Sequence, residues 1–143
     1  MQKIVLATAL VISATFGVMA RADVENPAVM ARMDAMKTIG GSLKTLGDMA
    51  KGAVAFDAAA ANAALDAVEQ KAAAVPALFE AQETDPESEA KPEIWTNWED
   101  FVAKSKALEM AAAGATITDQ ASIGAAMGAL GGTCKACHSD YRM

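Results

Sequence analysis

The pentapeptide Cys134-Lys135-Ala136-Cys137-His138, close to the end of the sequence, contains both cysteines and the single histidine of the chain. This C-x-x-C-H spacing is the attachment sequence for a c-type haem, in which two thiols form thioethers and the imidazole becomes the proximal iron ligand. On a helix, Cys134, Cys137 and His138 are separated by steps of three and four residues, so they share one face. The sequence therefore predicts one covalent haem c, attached through Cys134 and Cys137 and ligated by His138.

Other uses of a C-x-x-C pair fit this chain less well. A disulfide-exchange pair usually lies in a βαβ setting, and the sequence carries no strand pattern. A structural zinc site takes four cysteine or histidine ligands, whereas the chain has three such residues in total. A motif with a purely structural role is the remaining alternative, and the mass of an added porphyrin distinguishes it from a haem site.

Residues 1–22 have the pattern of a secretory signal peptide, with Lys3 as the charged start, an apolar run from Ile4 to Met19 and an Ala20-Arg21-Ala22 cleavage site. Cleavage is predicted before Asp23. An uncleaved membrane anchor is the competing interpretation, but the apolar run is short for a span and ends in small residues. Because thioether attachment of haem takes place outside the cytoplasm, the signal and the motif together predict the periplasm.

The mature chain, residues 23–143, is long enough for one domain and too short for two. Without Lys3 and Arg21, 10 basic residues face 18 acidic residues, which gives a net charge of −8. This acidity argues against nucleic-acid binding, which requires basic surface patches. A redox protein partner with a basic docking patch is the expected partner, and no membrane span is expected in the mature chain.

The mature sequence is rich in alanine and other helix-forming residues, which favours an all-α fold. The first helix has apolar residues at spacings of three and four, namely Val29, Met33, Met36, Ile39, Leu43, Leu46 and Met49. The predicted bounds are Asn26-Pro27 to Lys51-Gly52, Ala58 to Val75 after a cap at Asp57, Glu93 to Ala113, and Thr118 or Asp119 to Tyr141. Four such helices predict an antiparallel up-down-up-down four-helix bundle.

Two segments of the mature chain carry signals that interrupt helix. Pro76 predicts an end or a kink of the second helix. The stretch 83–92, ETDPESEAKP, is acidic and contains two prolines, so we expect an exposed loop whose charge keeps it solvated. Trp95 and Trp98 lie at helical spacing and are interpreted as core or rim residues.

Three stretches resemble the class II c-type cytochromes, which include cytochrome c prime, over essentially the whole mature chain. They are the terminal CKACHSDYR at 134–142, the central AKPEIW at 90–95 with Trp98 and Phe101, and Arg32-x-x-x-Met36. The resemblance implies a four-helix bundle with haem between the helices and Arg32 near a haem propionate. It also implies a first-helix residue over the distal face of the iron, a modulating role for Arg142 near His138, and possible homodimers formed through the first two helices.

Met36 is the candidate distal ligand. The run from Met36 to Leu43 resembles the low-spin branch of the class, whose ligating methionine is followed by a Gly-Gly pair like Gly40-Gly41. Arg32 and Met36 share a helical face, which places one group for a propionate beside one for the iron. Ordinary core filling is the alternative role, since methionine adapts to irregular space.

Iron with histidine and methionine ligands has no open position, so the sequence predicts electron transfer. The alternative is a high-spin, five-coordinate iron that binds nitric oxide or carbon monoxide. A peroxidase is disfavoured because no second histidine can serve as a distal acid or base. We therefore expect an electron carrier without catalytic residues.

Overall fold

The computed structural model describes residues 23–143, and the predicted signal peptide at 1–22 lies outside them. Five helices run through the described part of the chain: α1 (Pro27–Ala50), α2 (Ala58–Phe79), α3 (Glu93–Thr96), α4 (Trp98–Ala113) and α5 (Gln120–Tyr141). None of these helices is long and apolar enough to cross a membrane.

Helices α1, α2 and α5 begin after their capping residues, as predicted. The Asn26 side chain accepts hydrogen bonds from the backbone N–H groups of Ala28 and Val29, and Asp57 accepts one from Ala60. At α5, Asp119 and Ser122 form a reciprocal capping box. Each cap satisfies backbone donors that the first helical turn leaves without an internal partner.

The prediction of one helix from Glu93 to Ala113 is wrong, because Asn97 interrupts it with φ −120° and ψ 44°. The preceding turn, α3, packs against the end of α2. Ile94 is 1% exposed there, and the Trp95 indole donates a hydrogen bond of 2.7 Å to the Phe79 carbonyl oxygen. These contacts hold α3 in place, and the chain changes direction at Asn97 to begin α4.

Helix α2 continues through Pro76 to Phe79, so of the two outcomes predicted at the proline, an end of the helix is wrong and a kink stays a prediction. A proline in a helix lacks the N–H that would bond to the carbonyl four residues earlier, here that of Ala72. The Ser105 hydroxyl on α4 donates a hydrogen bond of 2.7 Å to this carbonyl. A tertiary contact therefore replaces the donor that the proline removes.

The four long helices form the predicted bundle, in which α1 packs on α2, α2 on α4, α4 on α5 and α5 on α1. One buried core runs along most of the bundle and includes Leu46, Leu65, Val68, Ile123 and Leu130. A second group, here called the aromatic cluster, occupies the end where α2, α3, α4 and α5 meet: Val75, Phe79, Ile94, Phe101 and Tyr141. The Phe101 ring lies 5.1 Å from that of Phe79 and 5.4 Å from that of Tyr141, measured between centroids.

Candidate haem site

A cavity of about 790 Å³ lies beside the aromatic cluster and is lined by residues of every helix. Its volume falls within the range of roughly 300–1,000 Å³ typical of small-molecule and cofactor sites. Met36 from α1 and Cys134, Cys137 and His138 from α5 all line it. With Arg32, which also lines the cavity, the fold thus brings the five predicted haem residues, which come from opposite ends of the mature chain, to one place.

Helix α5 runs without interruption from Gln120 to Tyr141, so the motif has the helical spacing that the sequence predicted. Partial burial raises the pKa of the Cys134 thiol. Burial also raises the pKa of the Cys137 thiol, and the nearby charge of Lys104 opposes this rise. Partial burial lowers the pKa of His138, with the charge of Arg142 adding to the effect and that of Glu89 opposing it. The neutral imidazole, which is the form that binds metals, is therefore favoured.

Met36 is half-buried and packs between the long core and the aromatic cluster. Met33, one turn earlier on α1, lines the same cavity. Sequence spacing had placed Met33 on the apolar face without connecting it to the site. Gly40, one turn after Met36, also lines the cavity, and a Cβ atom at Gly40 would meet no atom within 4 Å. Beside Met36, the backbone of α1 at Gly40 therefore forms the cavity wall directly.

Arg32 is 3% exposed and binds the last turn of α2 and the segment that follows it. Its Nε donates to the Leu78 carbonyl oxygen at 2.9 Å, Nη1 to that of Glu83 at 2.8 Å, and Nη2 to that of Ala81 at 2.5 Å. Its guanidinium carbon lies 4.6 Å from the centroid of the Phe79 ring. These bonds use three of the five N–H groups of the guanidinium. Arg32 also lines the cavity, and its contact with a propionate stays a prediction.

The acidic segment 83–90 is a loop, as predicted, but the interpretation that its charges serve only solvation is wrong. Asp85 accepts hydrogen bonds from the backbone N–H groups of Glu25, Asn26 and Glu87. At the other end of the loop, Glu89 forms an ion pair of 2.5 Å with Arg142. Residues 86–90 line the cavity, so these carboxylates contact the start of α1 and the end of α5 from one of its walls.

A polar network missed by the sequence reasoning joins α4 to the end of α5. Lys104 contacts the carboxylates of Asp100 and Asp140, and the Tyr141 hydroxyl donates a hydrogen bond of 2.5 Å to Asp100. Burial, together with Asp100, raises the pKa of Tyr141 to about 12, so this hydroxyl stays a donor at neutral pH. The spacing of four residues between Asp100 and Lys104 was the one signal in the sequence for this network.

The residues around the cavity fit a covalently held haem. Two thiols and an imidazole come from one helix, a thioether comes from the facing helix, and aromatic and aliphatic side chains complete the walls. Within residues 23–143, no group of three or more histidine, cysteine, aspartate or glutamate side chains is arranged to hold a metal ion by itself.

Comparisons with known proteins agree with this geometry. The family model described as Cytochrome C′ matches residues 27–142. Cytochrome c-556 from Agrobacterium tumefaciens (strain apple 185) is 39% identical over 116 residues, covering 79% of this chain and 92% of the relative. The structure of cytochrome c′ from Rhodopseudomonas palustris matches with a TM-score of 0.76 at 34% identity, covering 83% of this chain and 98% of that one. A nitric oxide complex of a mutant cytochrome c prime from Alcaligenes xylosoxidans matches with a TM-score of 0.67 at 29% identity, covering 80% and 93%.

Proposed function

This chain belongs to the cytochrome c′ family, whose members carry covalently bound haem c, and we propose that it is a periplasmic electron-transfer protein with low-spin His138 and Met36 ligation. When bound, haem c supplies one-electron exchange between ferric and ferrous iron. The observation that carries the proposal is that Met36 and His138 line one cavity from facing helices. The relatives named cytochrome c-556 also fit the branch with histidine and methionine ligands.

Each residue of the site has a distinct role in this proposal. Cys134 and Cys137 anchor the macrocycle to α5, and His138 binds the iron through its neutral imidazole. Met36 would supply a second protein ligand from α1. Because a thioether is a soft ligand that favours ferrous iron, it would raise the reduction potential. With no position left for a substrate, electron exchange is the chemistry that the haem would supply.

The proposed partner is a redox protein with a basic docking patch. The mature chain has a net charge of −8, which attracts and orients such a partner during encounter. We place this encounter in the periplasm, because residues 1–22 have the pattern of a secretory signal. A small, transient interface suits an electron carrier, which must release its partner quickly. Pairing of two copies through α1 and α2, as in the family, is part of the same proposal.

Binding of a diatomic gas is the second candidate function. It is favoured by the similarity to the cytochrome c prime from Alcaligenes xylosoxidans whose nitric oxide complex is known. In this alternative Met36 fills space in the cavity without ligating the iron. The iron then keeps an open position for nitric oxide or carbon monoxide.

Optical spectra of the oxidised and reduced holoprotein, with and without carbon monoxide, distinguish the two functions. We expect low-spin bands that do not respond to the gas. High-spin bands with ready gas binding would instead support the second candidate. Mass spectrometry of the same sample checks the covalent haem, and a mature mass without porphyrin would contradict both functions.

Three methionine variants test the distal ligand. We expect Met36→Leu to convert the oxidised spectrum to high-spin and to open the iron to carbon monoxide. Met110→Leu is the matched control, because Met110 is 58% exposed on α4, outside the cavity lining. Met33→Leu tests the neighbouring thioether. Loss of the low-spin spectrum in Met33→Leu but not in Met36→Leu would make Met33 the ligand.

A further inference from the structure

Lys104 stands between two carboxylates at the edge of the candidate haem site. Its Nζ contacts Asp100 one turn earlier on α4 and lies 2.9 Å from Asp140 Oδ2 at the end of α5. The Lys104 side chain is only 22% exposed, whereas those of Asp100 and Asp140 are 55% and 54% exposed. The ammonium group therefore lies on the inner side of the cluster and the carboxylates lie toward solvent.

This cluster is attached directly to the haem-binding motif. Asp140 follows His138 by two residues, and Tyr141, which donates to Asp100, belongs to the aromatic cluster. The Lys104 ammonium lies 5.3 Å from the centroid of the Tyr141 ring. Lys104, Cys137 and Tyr141 all line the cavity. The last turn of α5 is thus linked to α4 through one lysine.

The charge of Lys104 lies close to the motif as well as to its carboxylate partners. Lys104 lines the same cavity as Cys137 and His138, from the neighbouring helix α4. Hydrogen bonds to Asp100 and Asp140 raise the pKa of Lys104, so the ammonium stays protonated at neutral pH. A positive charge therefore lies at the cavity wall and offsets part of the charge of two carboxylates.

We infer that Lys104 is a positioning residue that raises the reduction potential of the haem by offsetting part of the negative charge of Asp100 and Asp140 beside the attachment turn of α5. Without it, two carboxylates without a cationic partner would lie next to the turn that carries His138. Negative charge near the iron stabilises the ferric state and lowers the potential. Partners of this kind, outside the ligand set, tune a metal through charge and orientation.

This inference rests on the proposed attachment of haem at Cys134, Cys137 and His138, and it is independent of the role of Met36. It is tested by redox titration of the holoprotein with optical detection. We expect Lys104→Gln to lower the midpoint potential and Lys104→Arg to preserve it. Lys106→Gln is the matched control, since it removes the same charge from an exposed lysine of α4 that pairs with Glu109 and lies outside the cavity lining.

A second variant distinguishes an effect of charge from a loosening of the last turn of α5. Asp140→Asn removes a negative charge, whereas Lys104→Gln removes a positive one, so we expect Asp140→Asn to raise the midpoint potential. If the two substitutions only loosened the turn, the midpoint potentials of Lys104→Gln and Asp140→Asn would shift in the same direction. That result would overturn the inference. Equal shifts in Lys104→Gln and Lys106→Gln would also overturn it.

Two further results keep this test separate from that of the proposed function. If Lys104→Gln yields no holoprotein, the rise in Asp140→Asn and the preserved potential of Lys104→Arg decide the inference by themselves. A wild-type chain without covalent haem would instead contradict the proposed function, because there would be no haem whose midpoint potential could be measured.

Discussion

The Ser105 hydroxyl on α4 donates a hydrogen bond of 2.7 Å to the Ala72 carbonyl oxygen on α2. Pro76 leaves this carbonyl without its usual intrahelical donor. Ser105 is 5% exposed, so little water can reach the carbonyl in its place. The bond helps α2 to stay helical as far as Phe79, and Phe79 packs in the aromatic cluster.

Ser105→Ala is expected to lower the free energy of unfolding by about 1–2 kcal/mol, because a buried carbonyl then loses the donor that replaces the missing N–H of Pro76. Urea denaturation of the holoprotein measures the change. Thr38→Ala is the control, since the Thr38 hydroxyl is exposed and bonds to Asp34 within its own helix. We expect that variant to stay within about 0.5 kcal/mol of wild type.

A double-mutant cycle tests the cause of this loss. Pro76→Ala restores an N–H that can bond to the Ala72 carbonyl. Ser105→Ala should therefore lower the free energy of unfolding less in the Pro76→Ala background than in wild type. An equal cost in both backgrounds would contradict the link between the proline and the serine.

Arg32→Lys is expected to lower the free energy of unfolding by about 2 kcal/mol. Lysine keeps the charge but lacks the planar guanidinium, whose N–H groups donate to the carbonyl oxygens of Leu78, Ala81 and Glu83 at the same time. Urea denaturation again gives the value, with Lys37→Gln as an exposed control on α1. If Arg32→Lys is as stable as wild type, the carbonyl contacts do not hold the loop, and a charge-only role such as a propionate contact is favoured.

Asp85 makes stability depend on pH in the acid range. Its bonds from backbone N–H groups, first that of Glu87 and then that of Asn26, lower its pKa below the ordinary value of 3.8. The stabilisation is therefore complete above the unfolded-state pKa and is lost as the pH falls below that value through the folded-state pKa.

Asp85→Asn should consequently be less stable than wild type near neutral pH, and the difference should narrow below about pH 4. Urea titrations at about pH 7 and about pH 3 measure it. Asp66→Asn, which changes an exposed carboxylate on α2, is the control. If the free energies of unfolding of wild type and Asp85→Asn differed by the same amount at both pH values, the prediction would be contradicted.

The ion pair between Glu89 and Arg142 is expected to contribute little to stability. Both side chains are more than half exposed, so solvent weakens their attraction. Backbone bonds also join this loop to the chain end, from Met143 N to the Glu89 carbonyl oxygen at 2.8 Å and from Lys91 N to that of Tyr141 at 3.0 Å. In a double-mutant cycle of Glu89→Gln and Arg142→Gln we expect a coupling below about 1 kcal/mol. A coupling well above that would mean that the pair, and not the backbone, fixes the loop.

Local signals in the sequence predicted the helices well. Asn26, Asp57 and Asp119 marked three helix starts, because a cap depends on one side chain and the next few backbone groups. The break at Asn97 was missed, since it depends on where Ile94 and Trp95 pack against α2. That α2 does not end at Pro76 also depends on packing, because the compensating donor comes from another helix.

The sequence by itself determined the motif chemistry of this protein: two thiols and an imidazole at a spacing that a helix turns to one side. The tertiary structure alone decided which groups meet that motif. It brought Met36 and Met33 to the cavity, directed Arg32 to the loop carbonyls, and placed Lys104 beside the end of α5. Periodicity specifies which face of a helix is buried, whereas the contact of one helix with another depends on packing between residues far apart in the chain.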